Sequence, residues 1–240
     1  MVHQLRKSLF LVFIVFFSCQ MKEVEIHVQS LELSSELLLE VKRANSTDSL
    51  ESMLASFDAE TLQGELNTDT RKKAFWLNIY NAWYQIVADR YSYGLDSVFV
   101  KPLVPIAGDT LSFDEMEHAI LRKKPGYDLN GFAVDSVDFR IHFALNCGAK
   151  SCPPIAFYDA RKLDTQLEAA TKLYLTLETD VDDINKEVRV TQLMEWFSVD
   201  FGGEEGIILV LNNYLEKDLT GYTIKYKTFD WTQQLENFLQ

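Results

Sequence analysis

The run from Thr70 to Tyr91 constrains this fold more than any other stretch. Trp76, Ile79, Tyr80, Trp83 and Val87 recur at helical spacing and form one broad apolar face. Phe75, Leu77 and Ala82 carry apolarity around the other sides. A helix apolar nearly all round belongs inside a core, so the rest of the chain must wrap it. Asn78, Asn81 and Gln85 follow the same helix at i, i+3 and i+7. Buried amides must find hydrogen-bond partners. The stripe is therefore either partly solvated, or it lines a polar pocket or pins a neighbouring loop.

The wrapping elements read as mostly helical. Leu31 to Lys42, Asp48 to Phe57 and Glu60 to Leu66 are short amphipathic helices before the central one. Val98 to Gly108, with Pro102 and Pro105, reads as a loop with short extended pieces. Ser112-Phe113-Asp114-Glu115 is a capping box, so a helix starts there and runs to about Lys123, before Pro125-Gly126. Phe139 to Leu145 alternates and is rich in β-formers, which predicts a strand with Arg140 and His142 on one face. Asn146 to Pro154 is then a turn or loop. Leu163 to Thr179 is an amphipathic helix, Glu187 to Thr191 a short strand, and Leu193 to Phe197 and Gly206 to Glu216 helices. Thr223 to Thr228 is a last strand. Helices lead and strands are few, which predicts an α+β class, a helix-rich single domain packed around a small sheet.

The start of the chain has a different composition. Arg6 and Lys7 precede an almost wholly apolar run from Leu9 to Phe17, then Ser18 and Cys19. A short basic start, about ten apolar residues and a small residue before the cut describe an export signal. The run is shorter than the roughly 20 residues a membrane span needs. Phe16-Phe17-Ser18-Cys19 resembles a relaxed lipobox, which makes Cys19 the expected lipidated N-terminus. The expected organisation is a signal peptide over 1–18, a tether over 19–30 and one domain over 31–240, with its core at about 70–231. The expected location is the cell envelope, lipid-anchored and facing either the periplasm or the surface. The formal net charge is −13, which repels nucleic acid and anionic lipid, so neither is an expected partner.

Chemistry, if the chain has any, concentrates between Arg140 and Pro154. His142 is followed closely by Cys147, Lys150, Ser151 and Cys152. A nucleophilic Cys needs a pKa lowered by a nearby His, Lys or helix N-terminus. The same two Cys residues, five apart with Gly148 between them, could instead close a disulfide in an exported protein. Glu117 and His118 on the capped helix are candidates to orient His142. Asn78, Asn81, Asn146, Lys150 and Ser151 are candidate pocket-lining residues. Glu117, His118, His142, Cys147 and Cys152 are ligand types that zinc accepts, but no C-x-x-C or H-E-x-x-H spacing occurs, and no metal or cofactor is expected.

Five blocks then resemble one family. Ala74 to Ala82 is similar to the opening motif of the uncharacterised domain of unknown function 547 family. Glu117-His118-Ala119-Ile120-Leu121-Arg122 resembles its second block and Arg140 to Pro154 its third. Trp196-Phe197 with Asp200-Phe201, and Phe229-Asp230-Trp231, resemble its last two. Lys227-Thr228 stands where the family more often has Leu-Pro. The resemblance implies no established activity. Its His- and Cys-bearing core prompts a comparison with papain-like and transglutaminase-like folds, which is analogy at the level of fold.

Two functions stay open. One is a non-enzymatic binding or scaffold domain, with Cys147 and Cys152 bonded or inert. The other is a thiol hydrolase or acyl transferase, with Cys152 or Cys147 as nucleophile, His142 as base and Glu117 or an Asn amide as orienter. Beyond the membrane reached through Cys19, no partner is specified, and a protein or peptide ligand stays open.

Overall fold

A computed structural model describes residues 29–91, 93–124 and 131–239. The expected export signal, Cys19 and most of the tether lie outside them. The first helix, α1 (Gln29–Lys42), takes up the last two residues of the expected tether. It is followed by α2 (Asp48–Ala55), α3 (Ala59–Glu65) and α4 (Asp69–Arg90). Among the described residues no helix is long and apolar enough to cross a membrane.

The central helix α4 begins where Thr68 accepts the Arg71 N–H through its side chain. Every residue from Lys73 to Val87 is buried, so the helix is enclosed on all sides, as its composition requires. α1 packs along it most extensively. After α4 come α5 (Leu95–Val98) and a hairpin of β1 (Val104–Ile106) and β2 (Asp109–Leu111). The hairpin register pairs Val104 with Leu111 and Ile106 with Asp109. Ala107 and Gly108 both hold positive φ in its two-residue turn, the backbone that suits a tight hairpin.

The capping box forms as expected. Ser112 Oγ accepts the Glu115 N–H, and the Glu115 carboxylate accepts the Ser112 N–H at 2.8 Å. The helix it starts is a wide π-helix, Glu115–Leu121, and it stops before Lys123.

The expected strand at Phe139–Leu145 is a correction: Phe139–Phe143 is a 3₁₀ helix. Asp138 causes it. Its side chain accepts the Arg140 N–H and forks onto the Arg140 guanidinium, with both bonds at 3.0 Å. The chain then turns, with the Ile141 N–H donating to the Asp138 carbonyl. Ile141 to Asn146 are all buried, so apolarity there reflects enclosure and not a two-faced strand.

α6 (Leu163–Glu178) follows, then β3 (Asp180–Asp182), β4 (Glu187–Val190), α7 (Leu193–Trp196), α8 (Ser198–Phe201), α9 (Gly203–Leu215) and β5 (Thr223–Tyr226). The second sheet runs β3-β4-β5, antiparallel then parallel. The class is α+β and helix-rich with small sheets, as the sequence predicts. One apolar cluster surrounds α4; a second lies between α6, α9 and β4, and Cys147 packs against both.

Candidate functional site

The amide stripe of α4 builds the floor of the site, and it is not solvated. Asn78 and Asn81 have no exposure and Gln85 is buried. Asn81 donates to the Ala144 carbonyl at 3.0 Å and accepts the Asn146 N–H at 2.8 Å. Asn146 donates to the Pro153 carbonyl at 2.7 Å and accepts the Gly148 N–H at 2.9 Å. Asn78 makes the same two-way clasp on the backbone of Tyr158. Gln85 accepts the Glu236 N–H at 2.8 Å. Thus Asn78, Asn81 and Asn146 lock the loop before and after Cys147, and Gln85 ties the C-terminal segment to the same helix.

Gly148 is required where it stands. Its φ is +70°, and a Cβ there would meet the Tyr84 ring at 2.6 Å. The C-terminal segment straps the loop from outside: Lys150 and Ser151 donate from their backbones to Thr232 and Asp230, and Gln234 donates to Gly148. Within this frame Cys147 and Cys152 are disulfide-bonded, with Cα atoms 6.1 Å apart. Lys150 points away, its side chain 62% exposed against Asp230. Ser151 Oγ accepts the Asp230 N–H, a strap contact.

A pocket of about 230 Å³ brings together Glu117, His118, His142, Cys147 and Cys152. Tyr80 and Asp114 also face it, and Phe99, Trp196, Phe229 and Trp231 supply aromatic wall. A wider cleft of about 620 Å³ beside the hairpin has only Asp109 among titratable groups, so volume alone does not mark the site. The π-helix ends with the Arg122 N–H bonded five residues back to the Glu117 carbonyl, and neighbouring side chains share one wall.

Two residues with no expected role organise this wall. Asp200 accepts from His142 Nε2 at 2.8 Å and from Arg122 through two bonds, at 2.6 and 3.1 Å. Burial would raise the Asp200 carboxyl, but the His142 and Arg122 bonds outweigh it and hold it well below the usual carboxylate range. An ionised carboxylate only accepts, so His142 Nε2 carries the proton. Burial lowers the His142 pKa against the opposing pull of Asp200, which keeps the ring neutral and leaves Nδ1 an acceptor. Phe197 stacks on the ring at 4.0 Å, and the Arg122 guanidinium lies 4.7 Å from the same phenyl centroid. The only sequence signals for these partners were an arginine and an aspartate inside family blocks.

Glu117 behaves differently. Burial raises its pKa to about 7, Arg122 opposes, and Asp114 and Asp200 add to the rise. His118 is lowered, first by burial and then by Arg122, whose guanidinium lies 3.1 Å from its Nδ1. Tyr80 is 2% exposed, and its pKa is raised by burial and then by Glu117. Its hydroxyl has no hydrogen-bond partner among the described residues, yet it is not sealed off, because Tyr80 forms part of the pocket wall. Also among the described residues, no group of three His, Cys, Asp or Glu converges as a metal ion would require.

Residues 62–175 match the family model described as Protein of unknown function, DUF547. The match supports the resemblance read from the sequence and covers its first three blocks, from α3 into α6. No curated protein and no solved structure matches the chain.

Proposed function

We propose that the chain is a cell-envelope lipoprotein of this family, tethered through Cys19, whose folded part is a binding module built around the acidic, aromatic pocket. The observation that carries this reading is the Cys147–Cys152 link, which leaves neither sulfur free as a nucleophile. The polar atoms at the pocket that the fold does not use for itself are then sites for a ligand. The basic and apolar start of the chain supports export, and a disulfide suits an oxidising compartment. Non-reducing mass spectrometry of the mature protein tests it. The expected result is a linked Cys147–Cys152 peptide and a lipid-modified N-terminal Cys19. Two free thiols would overturn the binding reading, and an unmodified N-terminus would remove the tether.

His142, which is bonded to Asp200 and lines the same pocket as both cysteines, favours a second reading: a thiol hydrolase or acyl transferase unmasked by reduction, as the papain-like comparison implies. A dithiol reductant would open the link. The freed thiol of Cys147 or Cys152 would give its proton to His142 Nδ1, and the sulfur would bond to a substrate carbonyl carbon. The leaving group would then depart with that proton. Asp200 would hold the ring through Nε2. Iodoacetamide applied after reduction should label one cysteine far faster than a free thiol. Slow, equal labelling of both would exclude this chemistry.

A further inference from the structure

The pocket's charge and free acceptors specify a ligand class. Arg122 is committed to Asp200 by two hydrogen bonds, so those two charges cancel locally. His118 and His142 both have lowered pKa values and add no positive charge at neutral pH. The carboxyls of Asp114 and Glu117 remain, the latter only part-ionised at neutral pH because burial holds its pKa at about 7, and each lies no closer than 3.9 Å to a ring nitrogen of His118. They form no charge-assisted hydrogen bond at that distance. Tyr80 gives an independent sign of a missing partner. It is 98% buried, lines the cavity, and keeps a hydroxyl that no described residue bonds. Because Tyr80 lines the cavity, a ligand held there can supply the partner that the described residues do not.

Around these acceptors the wall is apolar. Phe229 packs on Trp231 at 4.6 Å and on Trp196 at 5.1 Å, and both indoles stay partly open, Trp196 at 44% and Trp231 at 40% exposure. Open indoles at a pocket mouth offer π faces and apolar area to a ligand. The pocket holds about 230 Å³, the share of roughly eight waters at about 30 Å³ each, which suits a ligand of similar heavy-atom count.

We propose that this pocket binds a small primary amine with an apolar or aromatic tail, its ammonium on Asp114, Glu117 and the Tyr80 hydroxyl and its tail against Trp196, Phe229 and Trp231. The inference rests on the binding-module reading and narrows it to one chemistry. Three acceptors match the three N–H donors of a primary ammonium. A carboxylate or phosphate ligand would meet Asp114 and Glu117 with like charge, and a neutral tail alone would leave the acceptors unpaired.

The test uses the full chain in its oxidised form, at physiological salt, with calorimetry and the fluorescence of the open indoles as readouts. The probes are 2-phenylethylamine and its neutral counterpart 2-phenylethanol. The amine should bind saturably, one per chain, at least about tenfold tighter than the alcohol, the yield expected of one charge-assisted contact. The double variant D114N/E117Q should bring the two probes to within about twofold of each other. Trp231→Leu should weaken both together. Equal affinity of amine and alcohol for the natural protein would overturn the amine assignment and leave the binding module standing. No saturable binding of either probe would overturn both.

Discussion

Two faces of α4 carry polar groups into the interior, and they are treated in opposite ways. On one face Asn78 and Asn81 each give a donor and an acceptor to loop backbone, and both have no exposure. On the other, Tyr80 leaves its hydroxyl without a partner among the described residues, beside a Glu117 carboxyl whose pKa burial pushes up to about 7. The first face spends its polarity on holding the Cys147 loop. The second keeps polarity that the fold itself does not need. Complete pairing marks structural polar groups, whereas unpaired and pKa-perturbed groups in a cavity mark a candidate site.

The largest expected effect tests the first face. Asn81→Leu removes the partners of the Ala144 carbonyl and the Asn146 N–H together. Two buried backbone groups left unpaired cost about 1–3 kcal/mol each, so the loss should be about 4 kcal/mol. With an m-value of about 2 kcal/mol/M, the urea midpoint should fall by more than about 1 M. A fall of less than about 0.5 M would mean that the amide clasp is dispensable, and the contrast between the faces would collapse.

Glu117→Gln tests the second face, with the opposite sign. The Glu117 pKa is raised from 4.5 to about 7, so the folded state prefers the protonated form. The stability this gives is fully present below pH 4.5 and is lost as pH rises through about 7. The Glu117 side chain is only 16% exposed, so solvent screening trims this little. Gln stays neutral throughout. At pH 8.5 the variant should therefore be more stable than the natural protein by up to about 3 kcal/mol, and at pH 4 the two should agree. Thermal melts across that range measure it. A variant destabilised at every pH would show that the carboxyl is a structural partner, as the Asn amides are.

The sequence disclosed these two faces unequally. Apolar residues on every side of Thr70–Tyr91 required a buried helix, and Asn78, Asn81 and Gln85 announced that something must pair with them. Ser112 and Glu115 marked a helix start through a local capping pattern. The 3₁₀ turn at Phe139–Phe143 was hidden because alternating apolar residues resemble a strand, while the deciding force was a side-chain fork between Asp138 and Arg140. Glu117, His118, His142, Cys147 and Cys152 could be chosen by residue type, and one pocket gathers them. Asp200 could not, because its partnership with His142 spans 58 residues and leaves no local spacing to read. The π-helix was equally silent, because the capping box that marks its start does not reveal the five-residue spacing of its closing bond.

The smallest expected effect concerns Lys150, which sequence proximity placed beside the cysteines. Its side chain is 62% exposed and meets the 42%-exposed Asp230 at 3.2 Å, outside the pocket wall. An exposed ion pair of this kind contributes about 0–1 kcal/mol, and salt screens it further. The backbone does the anchoring there, with the Lys150 N–H on the Thr232 carbonyl at 2.8 Å, and a side-chain truncation leaves that bond in place. Lys150→Ala should therefore shift the urea midpoint by no more than about 0.3 M, and it should leave iodoacetamide labelling after reduction unchanged. A marked slowing of that labelling would show that the ammonium acts on a sulfur once the disulfide opens. Lys150 would then belong with the pocket groups, and the boundary between structural and available polarity would have to be redrawn to include the outer side of the loop.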